Sequence, residues 1–162
     1  MAEGWSDFFV AVAGAAAALA GLIVVAMSVT IKAIIASRTL PSCAGATISS
    51  MVLILVLAIL GLLPDQSDIA LGTEIVVACA IALVPSTLMS ARVLTDTSYP
   101  ASVATRLFRV TLGVAPVLLA LAGGIVVIAG VSSGLYLVAA AMLLIFITSM
   151  LNVWILLVEI QR

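Results

Sequence analysis

The stretch DQSDIALGTEIVVACAIAL, residues 65–83, determines how the rest of the chain is interpreted. It begins as an acidic turn and continues into an apolar run, in which Glu74 is followed directly by Ile75, Val76 and Val77. Together with the residues after it, this run predicts a membrane-spanning helix, because a hydrocarbon core of about 30 Å needs about 20 apolar residues in helical form. The open question is why a carboxylate lies inside such a span.

The composition of the whole chain excludes most classes of soluble protein. Of the 162 residues, 65% are hydrophobic and 8% are charged, whereas soluble domains carry about 25% charged residues. A net charge of −1 gives no basic surface for nucleic acid. The chain contains no histidine, and its two cysteines form no metal-binding spacing. We therefore predict a non-enzymatic membrane protein without cofactor or metal.

The apolar runs predict an all-α fold, a single transmembrane domain over residues 1–162. Proline, glycine and polar residues separate the runs at 37–42, 63–68, 98–102 and 130–134. Five runs are long enough to span: Phe8–Ile35, Ala44–Leu63, Ile69–Ala91, Thr105–Gly130 and Leu135–Ile160.

The charged residues predict the orientation of this five-helix bundle. With five spans, all six basic residues fall on one side: Lys32, Arg38, Arg92, Arg106, Arg109 and Arg162. Five of the seven acidic residues fall on the other side: Glu3, Asp7, Asp65, Asp68 and Glu74. Because basic residues favour the cytoplasmic side, we expect the N-terminus outside and the C-terminus inside, in a multi-pass membrane protein.

Small residues in the first span predict close helix packing in the surrounding membrane lipid. Gly14, Ala18 and Gly21 form one stripe, and such residues let helix backbones approach in lipid. We therefore expect the first span to be central; the alternative is an alanine-rich helix facing lipid. The second span, with bulky aliphatic residues on every face over 51–63, is expected to face lipid.

Glu74 shares a helix face with Ala70, Ala78 and Ala82, which predicts that this face packs against another helix. It lies six residues after Asp68, a rise of about 9 Å along a helix. In one interpretation the carboxylate marks an ion path or contacts a partner. In the other it is protonated, or reaches the outer water without a further role.

Two further groups of side chains are candidates for contacts. Asp65 and Asp68 would join Glu74 in an acidic rim if the protein forms a ring. Asn152, near the C-terminal end of the last span, is expected to form a hydrogen bond with another helix rather than to contact a substrate. Aromatic residues near the span ends are expected to anchor the protein at the membrane surfaces: Trp5, Phe8, Phe9, Tyr136, Tyr99, Phe108 and Trp154.

Several segments give the chain a family resemblance. They are the opening WSDFFVAVAGAAAALAGLIVVAMSV, the corners TLPSCA and LLPDQ, and the ending LNVWILLVEIQR. From Trp5 to Arg162 the chain resembles a family of small bacterial five-span membrane proteins, in which an arginine often stands at the position of Cys43. The resemblance implies a bacterial inner-membrane protein and supplies no catalytic residues.

These observations leave two leading functional hypotheses, with a small intramembrane transporter or enzyme as a third. The first is a membrane protein that acts through helix–helix association, as a homo-oligomer or as a subunit of a larger membrane complex. The alternative is a homo-oligomeric ion channel with Glu74, Asp65 and Asp68 at its outer mouth. A conductance in planar bilayers that depended on Glu74 would favour the channel.

Overall fold

The computed structural model describes residues 4–29, 31, 40–95 and 103–160, which form an all-helical protein. The five helices of this part are α1 (Ser6–Val29), α2 (Leu40–Leu60), α3 (Asp68–Thr95), α4 (Val103–Ile128) and α5 (Ser133–Ile160). The predicted all-α fold and its five helical segments are confirmed. The predicted end of the first span at Ile35 lies outside the described residues.

Four of these helices are long and apolar enough to cross a membrane. Their spanning segments are Ser6–Val29, Asp68–Leu88, Val110–Ile128 and Ser133–Trp154. The apolar part of α2, Ala44–Leu60, is shorter, because the helix begins in the polar sequence around Pro41 and ends before Gly61. By length and composition, the fold is therefore that of a membrane protein.

Helices α2 to α5 form a closed ring of four, and α1 packs on its outside. Helix α3 contacts α2 and α4, helix α4 contacts α3 and α5, and α5 returns to contact α2. Helix α1 packs mainly against α2. The core of the ring consists of aliphatic side chains that these helices share.

Helix α2 contacts three other helices, so the prediction that its outer half faces lipid is wrong for one side of the helix, whereas Val52, Val56 and Ile59 on the other side are exposed. Met51, Ile54 and Leu57 are fully buried on the first side, because α2 contacts α1, α3 and α5. The central position predicted for α1 is also wrong, since only Phe9, Ala16 and Ile23 are buried along it. Large aliphatic side chains fill the space between three neighbours, whereas alanine would leave voids at native packing density.

Four glycines set the close approach of α3, α4 and α5. A Cβ atom on Gly72 of α3 would lie 2.7 Å from the carbonyl oxygen of Gly124 and 2.8 Å from the backbone nitrogen of Ile128. On the other side of α4, a Cβ on Gly134 of α5 would lie 2.9 Å from the carbonyl oxygen of Gly123. Gly123 and Gly124, which are adjacent in α4, thus let α5 and α3 approach the α4 backbone closely on opposite sides.

The turn before α3 and the turn after α4 are each fixed by a specific local hydrogen-bond pattern. Before α3, the Ser67 hydroxyl accepts a hydrogen bond from the backbone N–H of Ala70 at 3.2 Å, an N-cap. After α4, Gly130 adopts φ +75 and donates to the Val127 carbonyl at 2.9 Å, while Val131 donates to Val126 at 3.2 Å. This pattern ends the helix in a glycine-based C-cap.

Candidate functional site

Four acidic residues gather at one end of the bundle, which we call the acidic end, whereas Glu159 lies near the end of α5 at the opposite end. The acidic end comprises the first turns of α1, α3 and α5 and the turns at 61–67 and 129–132. The acidic residues there are Asp7, Asp65, Asp68 and Glu74. Arg92 lies near the end of α3, and Arg106 and Arg109 lie near the start of α4, at the opposite end. Lys32, Arg38 and Arg162 lie outside the described residues.

Glu74 is held by the turn that precedes its own helix. The side-chain amide Nε2 of Gln66 donates a hydrogen bond to Oε2 of Glu74 at 2.5 Å. The left-handed backbone of Asp65, φ 53, and the Ser67 cap reverse the chain so that Gln66 reaches over the first two turns of α3.

Glu74 also lines an elongated groove between α2 and α3, with a volume of about 530 Å³. Val52 and Val56 of α2, and Val77 and Ile81 of α3, are exposed along it, so the groove opens outward from the bundle. Its walls are mainly aliphatic, and its polar residues are Ser49, Thr73 and Glu74. Because exposed side chains of both helices line it, this groove, which we call the α2–α3 groove, is a lateral cleft.

Two of the three alanines predicted to share the face of Glu74 border this cleft. Ala82 is buried, whereas Ala70 and Ala78 are half-buried. Ala78 and Ala82 line the α2–α3 groove beside the carboxylate. The face of α3 that carries Glu74 therefore adjoins α2, with the acid at the margin of the contact.

No helix of the described part of the chain packs against the other predicted packing stripe. Gly14, Ala18 and Gly21 are exposed, and a Cβ atom on either glycine would meet nothing within 4 Å in the described residues. The buried side of α1 is the opposite one. Packing of this stripe against another chain remains a prediction.

Three other candidate residues occupy separate positions. Asp65 is exposed in the turn, and Asp68 is half-buried in the first turn of α3, where an acid interacts favourably with the helix dipole. Asn152 is exposed and lies about 28 Å along α5 from Ser133. The structure therefore groups the three acids at one end and places Asn152 far from them.

The aromatic residues at the acidic end form a cluster. The Trp5 ring lies 4.8 Å from that of Tyr136, edge to face, and 5.7 Å from that of Phe8. Phe9 is 1% exposed, so its predicted role as a surface anchor is wrong. Its ring lies over Gly61, where a Cβ would meet ring atoms at 2.6 to 2.7 Å. Sequence reasoning missed Gly61 because its partner is on another helix.

Large buried side chains fill the centre of the described bundle. They include Met51, Ile54, Leu57, Ile75, Met142 and Ile145. An ion channel built from this chain would therefore carry its pore between protomers, as rings with acidic mouths can do.

The fold and the site thus define a class, an all-helical bundle with the features of a membrane protein and a half-buried acid beside a lateral groove. No family model matches the chain, and neither a curated protein nor a solved structure matches it. The resemblance to small bacterial membrane proteins therefore stays a prediction.

Proposed function

We propose that this chain is a non-enzymatic, multi-pass protein of a bacterial inner membrane that acts through helix–helix association. It associates as a homo-oligomer, or as a subunit of a larger membrane complex. The observation that supports the proposal is the exposed face of α1 formed by Gly14, Ala18 and Gly21. We call it the α1 small-residue face.

Physical chemistry in lipid favours association through this face. Apolar side chains gain little from leaving lipid for protein, so helices associate where small residues permit close backbone contact. The spacing of Gly14, Ala18 and Gly21 places them on one side of the helix. Helix α1 is supported from the opposite side by α2, which leaves this face free to receive a helix from another chain.

A bulky residue on the α1 small-residue face is expected to separate the copies without unfolding the chain. The variant Gly14→Ile/Gly21→Ile should weaken self-association in lipid nanodiscs by about tenfold or more, or 1.4 kcal/mol. Counting fluorophores per nanodisc by single-molecule photobleaching measures this directly. Ala15→Ile is the matched control, because Ala15 is exposed on the same helix but points about 100° away from Gly14.

Two outcomes would contradict the proposal. One is a wild-type protein that stays monomeric in nanodiscs and copurifies with nothing from native membranes. The other is self-association that responds equally to the Gly14→Ile/Gly21→Ile and Ala15→Ile substitutions. Loss of self-association with copurification of another subunit would select the accessory-subunit form.

We further propose that the acidic end faces outward, with the C-terminus in the cytoplasm. The support is that Arg92, Arg106 and Arg109 lie at one end of the bundle, whereas four of the five described acidic positions lie at the other. Native Cys43 lies in the sequence on the basic side, and Cys79 is buried. Thiol labelling of Cys43 can therefore report on which side of the membrane the basic end lies.

A membrane-impermeant thiol reagent added to intact cells is expected to spare Cys43. Ser132→Cys in a Cys43→Ala background should react, because Ser132 is exposed in the turn at the acidic end. Mass spectrometry of the labelled protein, before and after cell lysis, distinguishes the two sides. Labelling of Cys43 in intact cells would reverse the orientation.

A further inference from the structure

We infer that the α2–α3 groove binds an amphiphilic cation, with an aliphatic chain along the groove and a cationic nitrogen at Glu74. This site is separate from the α1 small-residue face, so the inference goes beyond the proposed function.

The groove has the size and the walls that an aliphatic chain needs. Its volume of about 530 Å³ lies within the range of small-molecule sites. From Leu60 to Ser49 on α2 it runs eleven residues, about 16 Å of helix. Val52, Val56 and Val77 line this length. A single alkyl chain fits such a cleft by contact with aliphatic side chains.

The charge at the end of the groove selects the head group. Glu74 is half-buried, and it accepts a hydrogen bond from a neutral amide, that of Gln66. A carboxylate beside apolar walls is costly unless it is paired, and opposite charges attract more strongly where the dielectric constant is low. A plain acyl chain would leave the carboxylate unpaired, and an anionic head group would be repelled.

The direction of the groove matches the way an amphiphile lies in a bilayer. Glu74 is about 9 Å of helix below Asp68, near the start of the spanning segment Asp68–Leu88. The aliphatic part of the groove continues from Glu74 to Ile81 and Ala82, towards the middle of that segment. A head group near the surface and a tail towards the centre is the arrangement of a membrane amphiphile, and the outward opening gives it entry from the lipid.

Direct binding of dodecyltrimethylammonium tests the inference. Radiolabelled probe is titrated onto wild-type protein in phosphatidylcholine nanodiscs, with empty nanodiscs subtracted, and unlabelled dodecyl sulfate and dodecanol are added as competitors. We expect saturable binding that dodecyl sulfate does not displace. Glu74→Gln should weaken it by about tenfold or more, whereas Asp65→Asn, which removes an exposed acid outside the groove, should leave it unchanged.

Filling the groove provides the second arm. Val77→Trp keeps the charge and occupies the cleft, so we expect a similar loss of binding; Ile81→Trp serves the same purpose if the first variant does not fold. Both positions are exposed and tolerate a larger side chain. Melting temperatures of the variants report folding.

The inference is overturned if Glu74→Gln binds the probe as well as wild type does, which would identify the groove as an acyl-chain site. It is also overturned if dodecyl sulfate displaces the probe as well as unlabelled probe does. A lower number of copies per nanodisc for Val77→Trp would overturn it too, because that result would identify a second copy of the chain in the groove. The Gly14→Ile/Gly21→Ile variant should retain probe binding, so failure of self-association and failure of this site are distinguishable.

Discussion

Gly72→Ala is expected to lower the free energy of unfolding by about 3 kcal/mol, the upper part of the usual range for overpacking. The added methyl group would meet the carbonyl oxygen of Gly124 at 2.7 Å and the backbone nitrogen of Ile128 at 2.8 Å. Backbone atoms cannot rotate away as a side chain does, so α3 and α4 must separate along their whole contact. Many van der Waals contacts are then lost together.

Gly113→Ala is the matched control for this substitution. Gly113 lies on α4, and a Cβ there would meet nothing within 4 Å in the described residues. Alanine favours helix over glycine by about 1 kcal/mol, so this variant should be neutral or more stable. Thermal unfolding in detergent, followed by loss of the monodisperse peak in size-exclusion chromatography, measures both. Equal melting temperatures for the two variants would show that the α3–α4 crossing is looser than the structure places it.

The helices of this protein were predictable because hydropathy and turn residues are local properties. The run after residue 65 and the polar corner at 63–68 gave α3 to within a few residues at its start. The cap by Ser67 and the positive φ of Gly130 are also consequences of residue type. Such features need no knowledge of the neighbouring helices.

The arrangement of the helices was not predictable, because lipid removes the contrast on which amphipathic patterns depend. In water, the polar face of a helix identifies its buried side. In this chain, exposed Val52 and buried Leu57 of α2 are both aliphatic. Gly14 and Gly21 form a stripe that resembles a packing face. However, Gly72, which belongs to no such stripe, contacts the backbone of another helix. Which glycines contact another helix depends on the partner helix, and a single sequence does not identify that partner.

The candidate site was predictable in part for a similar reason. Glu74 was identified because a carboxylate in an apolar run is rare and costly. Its partner Gln66 was missed because the bond spans eight residues and a turn, in which Asp65 adopts a left-handed conformation. The α2–α3 groove was missed because two helices form it, and neither helix alone carries its pattern.

Phe9→Ala is expected to destabilise the protein by about 3 to 5 kcal/mol, the usual cost of removing a buried phenylalanine ring. Phe9 is 1% exposed, and its aromatic ring fills the space over Gly61. This contact joins α1 to helices α2 to α5. The control is Val10→Ala, because Val10 is the next residue and is exposed. Its loss should change stability by no more than about 0.5 kcal/mol.

A double-mutant cycle with Gly61→Ala tests whether this contact carries the effect. Alone, the new Cβ would meet the Phe9 ring at 2.6 to 2.7 Å and should destabilise by about 1 to 3 kcal/mol. In the Phe9→Ala background the same Cβ enters a vacated space, so Gly61→Ala should be nearly neutral there. Trp5, whose ring lies 6.2 Å from that of Phe9, provides a fluorescence signal for unfolding at this contact. Additive effects in the cycle would mean that α1 is attached elsewhere, because contacting residues couple by about 0.5 to 3 kcal/mol whereas distant ones do not.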